Sequence, residues 1–379
     1  MTNSKSIVFV NQSSGYLMID IINAHAPYYN ELVLLTGFFN PRGTPLNPKV
    51  KIKYLKSYKR SGNFVKFYSW FVFHLQSLYY TFFKYRKSKL YLVSNPPINV
   101  FTFKITKRDY AYLIYDMYPQ VLVKNNLMST SSLLYNYWMR LNKKMFDNAK
   151  HIFTLSDGMK ANLKYISGHQ EVKVVPVWTN TTFFKDIPRE ENSFIKNNHL
   201  EGKFIVGYSG NLGKTHPVEK IIEIAEFLQN TNDIQFLIIG EGEKKLMLEK
   251  IQAQKKLPNL KILDFQATKL FPHVLAAIDI GVVTLEIDAT DLSVPSKTFD
   301  LMSAGKPILS IAGNDSELAA IIATNHIGQN FDENTSIKQM AAYTLKLKSN
   351  LDLYQEISEN SKRNSLKYSQ ENAKQMVLK

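Results

Sequence analysis

Short runs of apolar residues alternate along this chain with longer stretches in which apolar residues recur every three or four positions. Short runs bounded by glycine or polar residues predict strands, and the wider spacing predicts amphipathic helices. In the second half, residues 204–210 predict a buried strand that runs into a glycine turn. Residues 217–230 predict a helix with Ile221, Ala225 and Leu228 on one face. Strands that alternate with helices are typical of parallel sheets, so we predict the α/β class.

The predicted strands form two sets, and each set is enough for one Rossmann-like domain. A polar, charged stretch without regularly spaced apolar residues separates the sets. We predict a first domain over residues 1–185, a linker over 186–202, and a second domain over 203–355. A final surface helix is predicted over 356–379, and a return of this helix to the first domain is one possibility. The strands are predicted at 7–10, 31–37, 89–94, 110–116, 150–156 and 172–177, and at 204–210, 234–242, 260–265, 280–285 and 306–311.

The composition is that of a globular protein, because 45% of the residues are hydrophobic and 21% are charged. No cysteine is present, which excludes disulfides, thiolate nucleophiles and cysteine metal sites and agrees with a reducing compartment. The first residues carry no apolar signal segment. We therefore expect a cytoplasmic protein.

Positive charge is concentrated in the first half of the chain. The formal net charge is +15, and the first 190 residues hold 26 basic and 9 acidic side chains, a net charge of +17. No acidic residue occurs between Glu31 and Asp109. A field of one sign over one domain predicts an anionic partner: a phospholipid surface, a pyrophosphate-linked lipid or a nucleic acid.

Residues 51–89 combine ten basic and thirteen aromatic residues. This mixture suits the interface between anionic head groups and acyl chains. Lys66, His74 and Gln76 interrupt the aromatic run, so it is a poor spanning helix and indicates peripheral attachment to the inner face of the cytoplasmic membrane. The alternative is that half of the aromatic residues belong to the domain core and the lysines only solvate its surface. The predicted membrane and acceptor contacts are Lys59, Arg60, Trp70, Phe71, Lys84 and Arg86.

The most informative motif surrounds Lys297. Pro295 and Ser296 suit the start of a helix, with the serine at the N-cap. Lys297 then lies in the first turn, where the helix dipole and the amine both favour a phosphate. Asp300 is placed to accept hydrogen bonds from ribose hydroxyls, and Gly305 ends the helix. The alternative is that Lys297 and Asp300 form a solvated pair on an ordinary helix.

The order Pro-Ser-Lys-x-Phe-Asp-x-x-x-Ala-Gly-Lys-Pro at 295–307 resembles the nucleotide-sugar site of GT-B glycosyltransferases. It is most similar to the retaining enzymes of glycosyltransferase family 4, which build bacterial surface polysaccharides and lipid-linked oligosaccharides. The resemblance implies two Rossmann-like domains facing a cleft, a nucleoside-diphosphate sugar as donor with a UDP-sugar favoured, and no cofactor. An acceptor saccharide on a polyprenyl diphosphate would account for the basic first half. The segments 149–163, 172–180, 206–216, 237–243 and 314–322 match in the same order.

A glycine turn after the first strand of the second domain matches the turn that approaches the donor diphosphate in that family. Gly210, Asn211, Gly213 and Lys214 occupy this turn. Glycine lets backbone amides approach an oxyanion, and a second lysine beside Lys297 would double the positive charge at the leaving group. Without the resemblance, the same residues predict only a tight turn.

Other positions correspond to the family in the same way. Gly240 and Glu241 match a loop near the nucleotide base, although they equally suit a plain turn between strand and helix. Ser316 and Glu317 are placed near the sugar hydroxyls, and Glu317 is equally an acid at a helix N-terminus. Gly15 matches the N-terminal glycine loop that faces the donor phosphates.

The chain departs from the family pattern at two positions. The family's acidic pair falls on Leu292 and Asp300, and Tyr115 stands where many relatives carry a histidine. Asp116 remains as an acceptor contact or general base, or as a structural residue of the turn before Pro119. No cluster of His, Asp and Glu has ligand spacing and no Asp-x-Asp occurs, so we expect catalysis without a metal.

These observations predict a retaining glycosyltransferase with Lys297, Lys214 and Asp116 as catalytic residues. A sugar-nucleotide 2-epimerase resembles the same two-domain fold but needs acid/base carboxylates, which are sparse here. A basic protein that binds nucleic acid or membranes is the alternative from another class. No nucleic-acid motif supports it, and a steep salt dependence of polynucleotide binding would distinguish it.

Overall fold

The chain forms two compact units in the computed structural model. The first unit is Met1–Val177 together with Gln370–Lys379, and the second unit is Trp178–Ser369. The residues that the structure describes are 5–59, 62–103, 108–167, 171–184, 186–213, 216–285 and 294–379.

The structure moves the predicted domain boundary. The stretch 186–202 is part of the second unit and is not a linker, because the Arg189 guanidinium donates to the Asp279 carboxylate at 2.9 Å. The predicted final helix over 356–379 is divided. Its helix ends at Ser365, and the last ten residues belong to the first unit.

The first unit is built on parallel strands. They are β1 (Ser6–Val10), β2 (Ser13–Ser14), β3 (Glu31–Thr36), β4 (Phe38–Phe39), β5 (Val50–Tyr54), β6 (Lys89–Val93), β7 (Tyr110–Ile114), β8 (His151–Thr154) and β9 (Val172–Val174). Seven of them form one sheet in the order β5-β3-β1-β6-β7-β8-β9, and β2 pairs separately with β4. Val8 and Phe9 are neighbours on β1 and both are fully buried. The sheet is therefore covered on both faces, as parallel sheets require.

Helices of the first unit lie between these strands in the chain. They are α1 (Tyr16–His25), α2 (Asn63–Tyr79), α3 (Val100–Phe103), α4 (Gln120–Lys124), α5 (Leu133–Asn148) and α6 (Asp157–Ser167). A π-helical turn, Tyr80–Lys84, continues α2, and the 3-10 helix Gln370–Met376 packs against α1. The Tyr29 hydroxyl donates to the Leu378 carbonyl oxygen, and the Leu378 amide donates to His25 Nε2 at 3.0 Å. The C-terminal segment therefore contributes to the core of the first unit.

A six-stranded parallel sheet forms the centre of the second unit. Its strands are β10 (Phe204–Ser209), β11 (Ile234–Ile239), β12 (Leu260–Leu263), β13 (Ile280–Thr284), β14 (Ile308–Ile311) and β15 (Gly328–Phe331). The order is β12-β11-β10-β13-β14-β15. The predicted strands are confirmed, and β15 is an additional edge strand. Gln329 and Asn330 leave it without the apolar run on which the prediction depends.

The helices of the second unit are α7 (Ser193–Asn197), α8 (Glu219–Phe227), α9 (Lys245–Lys255), α10 (Phe271–Ala277), α11 (Lys297–Ser303), α12 (Glu317–Asn325), α13 (Ile337–Ser349) and α14 (Leu351–Ser365). Gly305 ends α11 as predicted, since its φ of +65° is a left-handed conformation that suits glycine. At the two ends of this unit, the Thr179 amide donates to the Tyr368 carbonyl oxygen at 3.0 Å. Within the described ranges, no helix combines the length and the hydropathy needed to span a bilayer.

Candidate functional site

The strand order of the second sheet reverses between β10 and β13. The chain leaves β10 for β11 and β12 on one side and then returns to the other side of β10 with β13. In open α/β sheets, ligands bind outside the carboxyl ends of the strands at such a reversal. Gly210 follows the end of β10, and Thr284 ends β13. The fold therefore places the candidate site at these two strand ends.

The loops after β10 and β11 pack against each other through their backbones. The Leu212 amide donates to the Glu241 carbonyl oxygen at 2.8 Å. A Cβ atom on Gly240 would lie 1.9 Å from the Gly210 carbonyl oxygen. Packing alone therefore requires glycine at position 240, and a contact between this loop and the nucleotide base stays a prediction.

Lys297 begins α11 and directs its amine to the end of β10. The Nζ atom lies 3.6 Å from the centroid of the Tyr208 ring, and a Cβ on Gly210 would lie 2.6 Å from the same Nζ. The amine is buried and has no hydrogen-bond partner among the described residues. Burial lowers the pKa of Lys297 to about 7, because the ammonium loses its hydration. A buried, unpaired amine beside a glycine turn suits an anionic ligand.

Asp300 and Ser296 flank this lysine differently from the predicted pattern. Asp300 is only 3% exposed, and its Oδ1 accepts a hydrogen bond from Thr179 Oγ1 at 2.6 Å. Lys297 and Asp300 therefore do not form a solvated pair, and the contact of Asp300 with ribose stays a prediction. Ser296 occupies the N-cap position of α11 as predicted, but it has helical angles (φ −59°, ψ −25°) and its side chain makes no capping bond.

His216 is a residue of this site that the sequence analysis did not select. Its Nδ1 lies 2.7 Å from the Thr284 carbonyl oxygen, which can only accept, so Nδ1 carries the proton. Burial, and then the charge of Lys297, lower the pKa of His216 to about 4 and keep the ring neutral. The only signal in the sequence is a histidine two residues after Lys214. Across the described ranges, no cluster of three or more His, Asp or Glu side chains could hold a metal ion.

The remaining donor-site predictions lie in well-defined local structures. Ser316 is buried and caps α12, since its Oγ accepts from the Ala319 amide at 3.1 Å, and Glu317 is in the first turn of that helix. The exposed Glu241 pairs with Lys245 at 2.6 Å. These contacts explain Ser316 and Glu241 structurally, and their contacts with a donor stay predictions.

The glycine turn itself is only partly described. Asn211 is exposed, and its carbonyl oxygen accepts from the Tyr208 hydroxyl at 2.7 Å. A Cβ on Gly213 would lie 2.6 Å from Asn211 Nδ2. Lys214 lies outside the described residues, as does Leu292.

Two predicted residues of the first unit lie near the carboxyl ends of its strands. Gly15 precedes α1, and a Cβ added there would have no neighbour within 4 Å, so packing does not require glycine at this position. Asp116 follows β7 with an exposed side chain, and its amide donates to Ser94 Oγ at 3.2 Å. Their roles toward donor and acceptor stay predictions.

The predicted membrane contacts separate into two groups. Trp70 is a core residue, only 2% exposed, with its ring 5.6 Å from that of Tyr118, so its assignment to the membrane surface is wrong. Phe71 is 56% exposed. Lys59, Lys84 and Arg86 are also exposed, and Arg60 lies outside the described residues.

The fold matches solved structures over nearly the whole chain. It is similar to WaaG, a glycosyltransferase involved in lipopolysaccharide biosynthesis, with a TM-score of 0.70 and 14% identity over 98% of this chain and 99% of that one. It is also similar to Anabaena HepE in complex with UDP-glucose, with a TM-score of 0.69 and 14% identity over 98% and 97% of the two chains. The chain therefore has the fold of the GT-B glycosyltransferases.

The sequence comparisons identify the second unit more closely. Residues 189–364 match the family described as "Glycosyl transferases group 1". Similar proteins are "Probable glycosyltransferase WbjE" of Pseudomonas aeruginosa, 25% identical over 64% of this chain and 62% of that protein, and "Putative colanic acid biosynthesis glycosyl transferase WcaI" of Escherichia coli strain K12, 28% identical over 47% and 44%. The matches span less than two thirds of the length of these relatives. The second unit is therefore similar to the group 1 glycosyl transferases over most of its length.

Proposed function

We propose that this protein is a glycosyltransferase that moves a sugar from a nucleoside-diphosphate sugar, with a UDP-sugar favoured, to a lipid-linked saccharide in the synthesis of a bacterial surface polysaccharide. The match to the group 1 glycosyl transferases and the relatives described above support this class. The observation that carries the proposal is the buried, unpaired amine of Lys297 at the reversal point of the second sheet.

The position of Lys297 suits the charge that the reaction develops. When the bond between the anomeric carbon and the diphosphate breaks, its electron pair stays on the diphosphate, whose negative charge increases. An amine with a pKa of about 7 takes up a proton when a diphosphate arrives beside it. Lys297 then stabilises the leaving group more strongly in the transition state than in the ground state. Lys214 is the expected second cation.

We infer that the acceptor hydroxyl forms its bond to the anomeric carbon on the face from which the diphosphate departs. The departing phosphate oxygen takes the proton of that hydroxyl, and the anomeric configuration is retained. Asp116 is the candidate acceptor contact or general base in the first unit. Because lysine side chains supply the positive charge, we expect that chelation of divalent metals by EDTA leaves the rate unchanged. A rate that falls in EDTA and recovers with Mg²⁺ contradicts this part.

The acceptor class follows from the charge of the first half of the chain. A net charge of +17 over the first 190 residues favours an anionic partner. A saccharide on a polyprenyl diphosphate at the inner face of the cytoplasmic membrane carries such a charge. We propose it as the acceptor.

Thermal unfolding of the full chain with UDP-, GDP-, ADP- and CMP-sugars tests the donor site. A ligand that binds only the folded protein raises Tm. We expect an increase with one diphosphate class, lost in Lys297→Ala and in Lys297→Met, which keeps most of the length of the side chain without its charge. The control is Lys269→Ala, which changes an exposed lysine of the same unit. If no nucleotide sugar raises Tm while a polynucleotide binds, the protein is a basic binding module and the proposal fails.

A further inference from the structure

Helix α2 presents its more apolar face outward. Phe64 is 84% exposed, Phe71 56% and Tyr79 60%. Large apolar residues recur every three or four positions on this side, which is the spacing of one helix face. The outward stripe, as we call this face, consists of Phe64, Phe67, Tyr68, Phe71, Leu75 and Tyr79.

The inward face of α2 is satisfied without the stripe. Trp70 and Phe73 are buried in the core of the first unit, beside buried polar groups. His74 Nδ1 lies 3.0 Å from Asn99 Oδ1, and Ser77 Oγ donates to the His74 carbonyl oxygen at 2.8 Å. Phe67 of the outward stripe contacts this core, with its ring 5.2 Å from that of Trp70, whereas Phe71 and Leu75 are 56% and 49% exposed. A contiguous exposed apolar surface of this kind marks an interaction site.

Basic side chains frame the outward stripe. Lys56 Nζ lies 5.6 Å from the centroid of the Tyr68 ring, and Lys84 Nζ lies 5.8 Å from that of Tyr80. Lys59 and Arg86 are exposed nearby in the sequence. No acidic residue occurs in the sequence between Glu31 and Asp109. The frame therefore complements an anionic surface, whereas a second copy of this chain would oppose it with the same charge.

A second apolar patch lies at the start of α5. Leu133 is 88% exposed and Leu134 is 51% exposed. Helices α2 and α5 are linked by the partly buried ring of Tyr118, which lies 5.6 Å from Trp70 of α2 and 6.4 Å from Trp138 of α5. The patch is a second exposed apolar surface of the first unit, on a helix whose Trp138 lies in the same core as Trp70.

We propose that the outward stripe of α2 and the leucines at the start of α5 insert together into the interface of a bilayer that contains anionic lipids. α2 then lies in the plane of the membrane, its aromatic rings between acyl chains and its lysines at the phosphates. This proposal rests on the proposed function, because insertion would give the protein access to a lipid-linked acceptor. Its test does not depend on glycosyl transfer.

Co-sedimentation of the full chain with phosphatidylglycerol vesicles tests the insertion. We expect Phe71→Ser combined with Leu75→Ser to weaken vesicle binding about tenfold or more. The two variant side chains no longer gain free energy by transfer from water into the bilayer. The matched control is Leu246→Ser combined with Phe265→Ser, which changes exposed apolar residues of the second unit. Both double variants remove only exposed side chains, and equal Tm values show that both fold.

A second measurement reports how deeply the outward stripe enters the bilayer. Phe71→Trp places an indole in the outward stripe, and we expect brominated phosphatidylglycerol to quench its added fluorescence. Leu133→Trp tests the α5 patch in the same way. Equal vesicle binding by parent and Phe71→Ser/Leu75→Ser, or no binding by the parent, overturns the proposal. So does a lipid-free dimer that these two substitutions dissociate, because the stripe then binds a second copy. If the membrane proposal fails in one of these ways but a nucleotide sugar still raises Tm, the proposed function is not contradicted.

Discussion

The Lys297 amine lies over the ring of Tyr208, with Nζ 3.6 Å from the ring centroid. The Tyr208 hydroxyl donates at 2.7 Å to the carbonyl oxygen of Asn211. One tyrosine therefore holds both the cation and the glycine turn of the candidate site. The face of the Tyr208 ring partly compensates an ammonium for its lost hydration, although the neutral ring carries no opposite charge.

We predict that the affinity for UDP falls as the pH rises from 7 to 9. The pKa of Lys297 in the free protein is about 7, so above that pH the neutral amine must take up a proton when the diphosphate binds. The decline approaches tenfold per pH unit while the amine of the complex stays charged. Isothermal titration of UDP at several pH values measures it. Lys297→Met should bind weakly with a flat profile, and equal slopes in both proteins would rule out this lysine as the titrating group.

Lys297→Met is also predicted to be more stable than the parent at pH 7 in the absence of ligand. The pKa of Lys297 is lowered from 10.5 to about 7 in the folded state, so the unfolded state binds more protons between these values. The stability of the parent therefore rises with pH across this window. Urea unfolding at pH 7 and pH 10 checks the sign. A variant that is less stable than the parent at pH 7 contradicts the burial of a charge here.

Gly210→Ala and Gly240→Ala should impair different properties, the first nucleotide binding and the second the stability of the fold. The new Cβ at position 210 meets the mobile end of Lys297 at 2.6 Å, whereas at position 240 it meets the Gly210 carbonyl oxygen at 1.9 Å. We expect Gly210→Ala to weaken nucleotide binding about tenfold with little loss of stability, and Gly240→Ala to cost about 1–3 kcal/mol of unfolding free energy. Thermal unfolding with and without UDP separates the two effects. Gly15→Ala, whose Cβ would have no neighbour within 4 Å, is the control for stability alone.

Ser316→Ala should lower the unfolding free energy by about 1 kcal/mol, because the Ala319 amide loses its capping oxygen. If capping is its only role, UDP-sugar affinity is unchanged. Denaturant unfolding and a titration with UDP-glucose measure both quantities. Ser316→Asp restores a capping oxygen and should recover stability. A loss of affinity in Ser316→Ala that Ser316→Asp does not recover would instead support contact with the donor.

Stability should fall as the pH drops from 6.5 toward 4. Burial lowers the pKa of His25 and His216 from 6.5 to about 4, so the unfolded state binds more protons in this window and acid favours it. His216→Asn keeps a donor for the Thr284 carbonyl and does not titrate, so its Tm should fall less steeply. His199→Asn changes an exposed histidine and should follow the parent. Parallel curves for all three proteins would exclude His216 as a source of the slope.

The sequence predicts the sheets because their strands are continuous apolar runs. It does not predict β5 and β15, whose alternating or polar residues occupy sheet edges. The domain boundary is also not predictable from local composition. Polar residues such as Arg189 are anchored by a partner 90 positions away, Asp279, and only the fold brings them together.

The candidate site is also predictable from the sequence only in part. A motif of thirteen residues is enough to select Lys297, because helix start, amine and glycine turn are local features. Local patterns do not show which aromatic residues face inward, so Trp70 was assigned to the wrong surface. They also give no indication that the strand ends bring His216 to Thr284.

The return of the last ten residues to the first unit makes the second unit an insertion within the sequence of the first. Its two ends, Thr179 and Tyr368, are already joined by a backbone hydrogen bond. The second unit can therefore be excised as one uninterrupted segment. The other half cannot be obtained by stopping translation at its last strand, because it would lack the residues that contact His25 and Tyr29. Recombination that exchanges the second unit intact therefore needs two crossover points, one on each side of the segment 178–369.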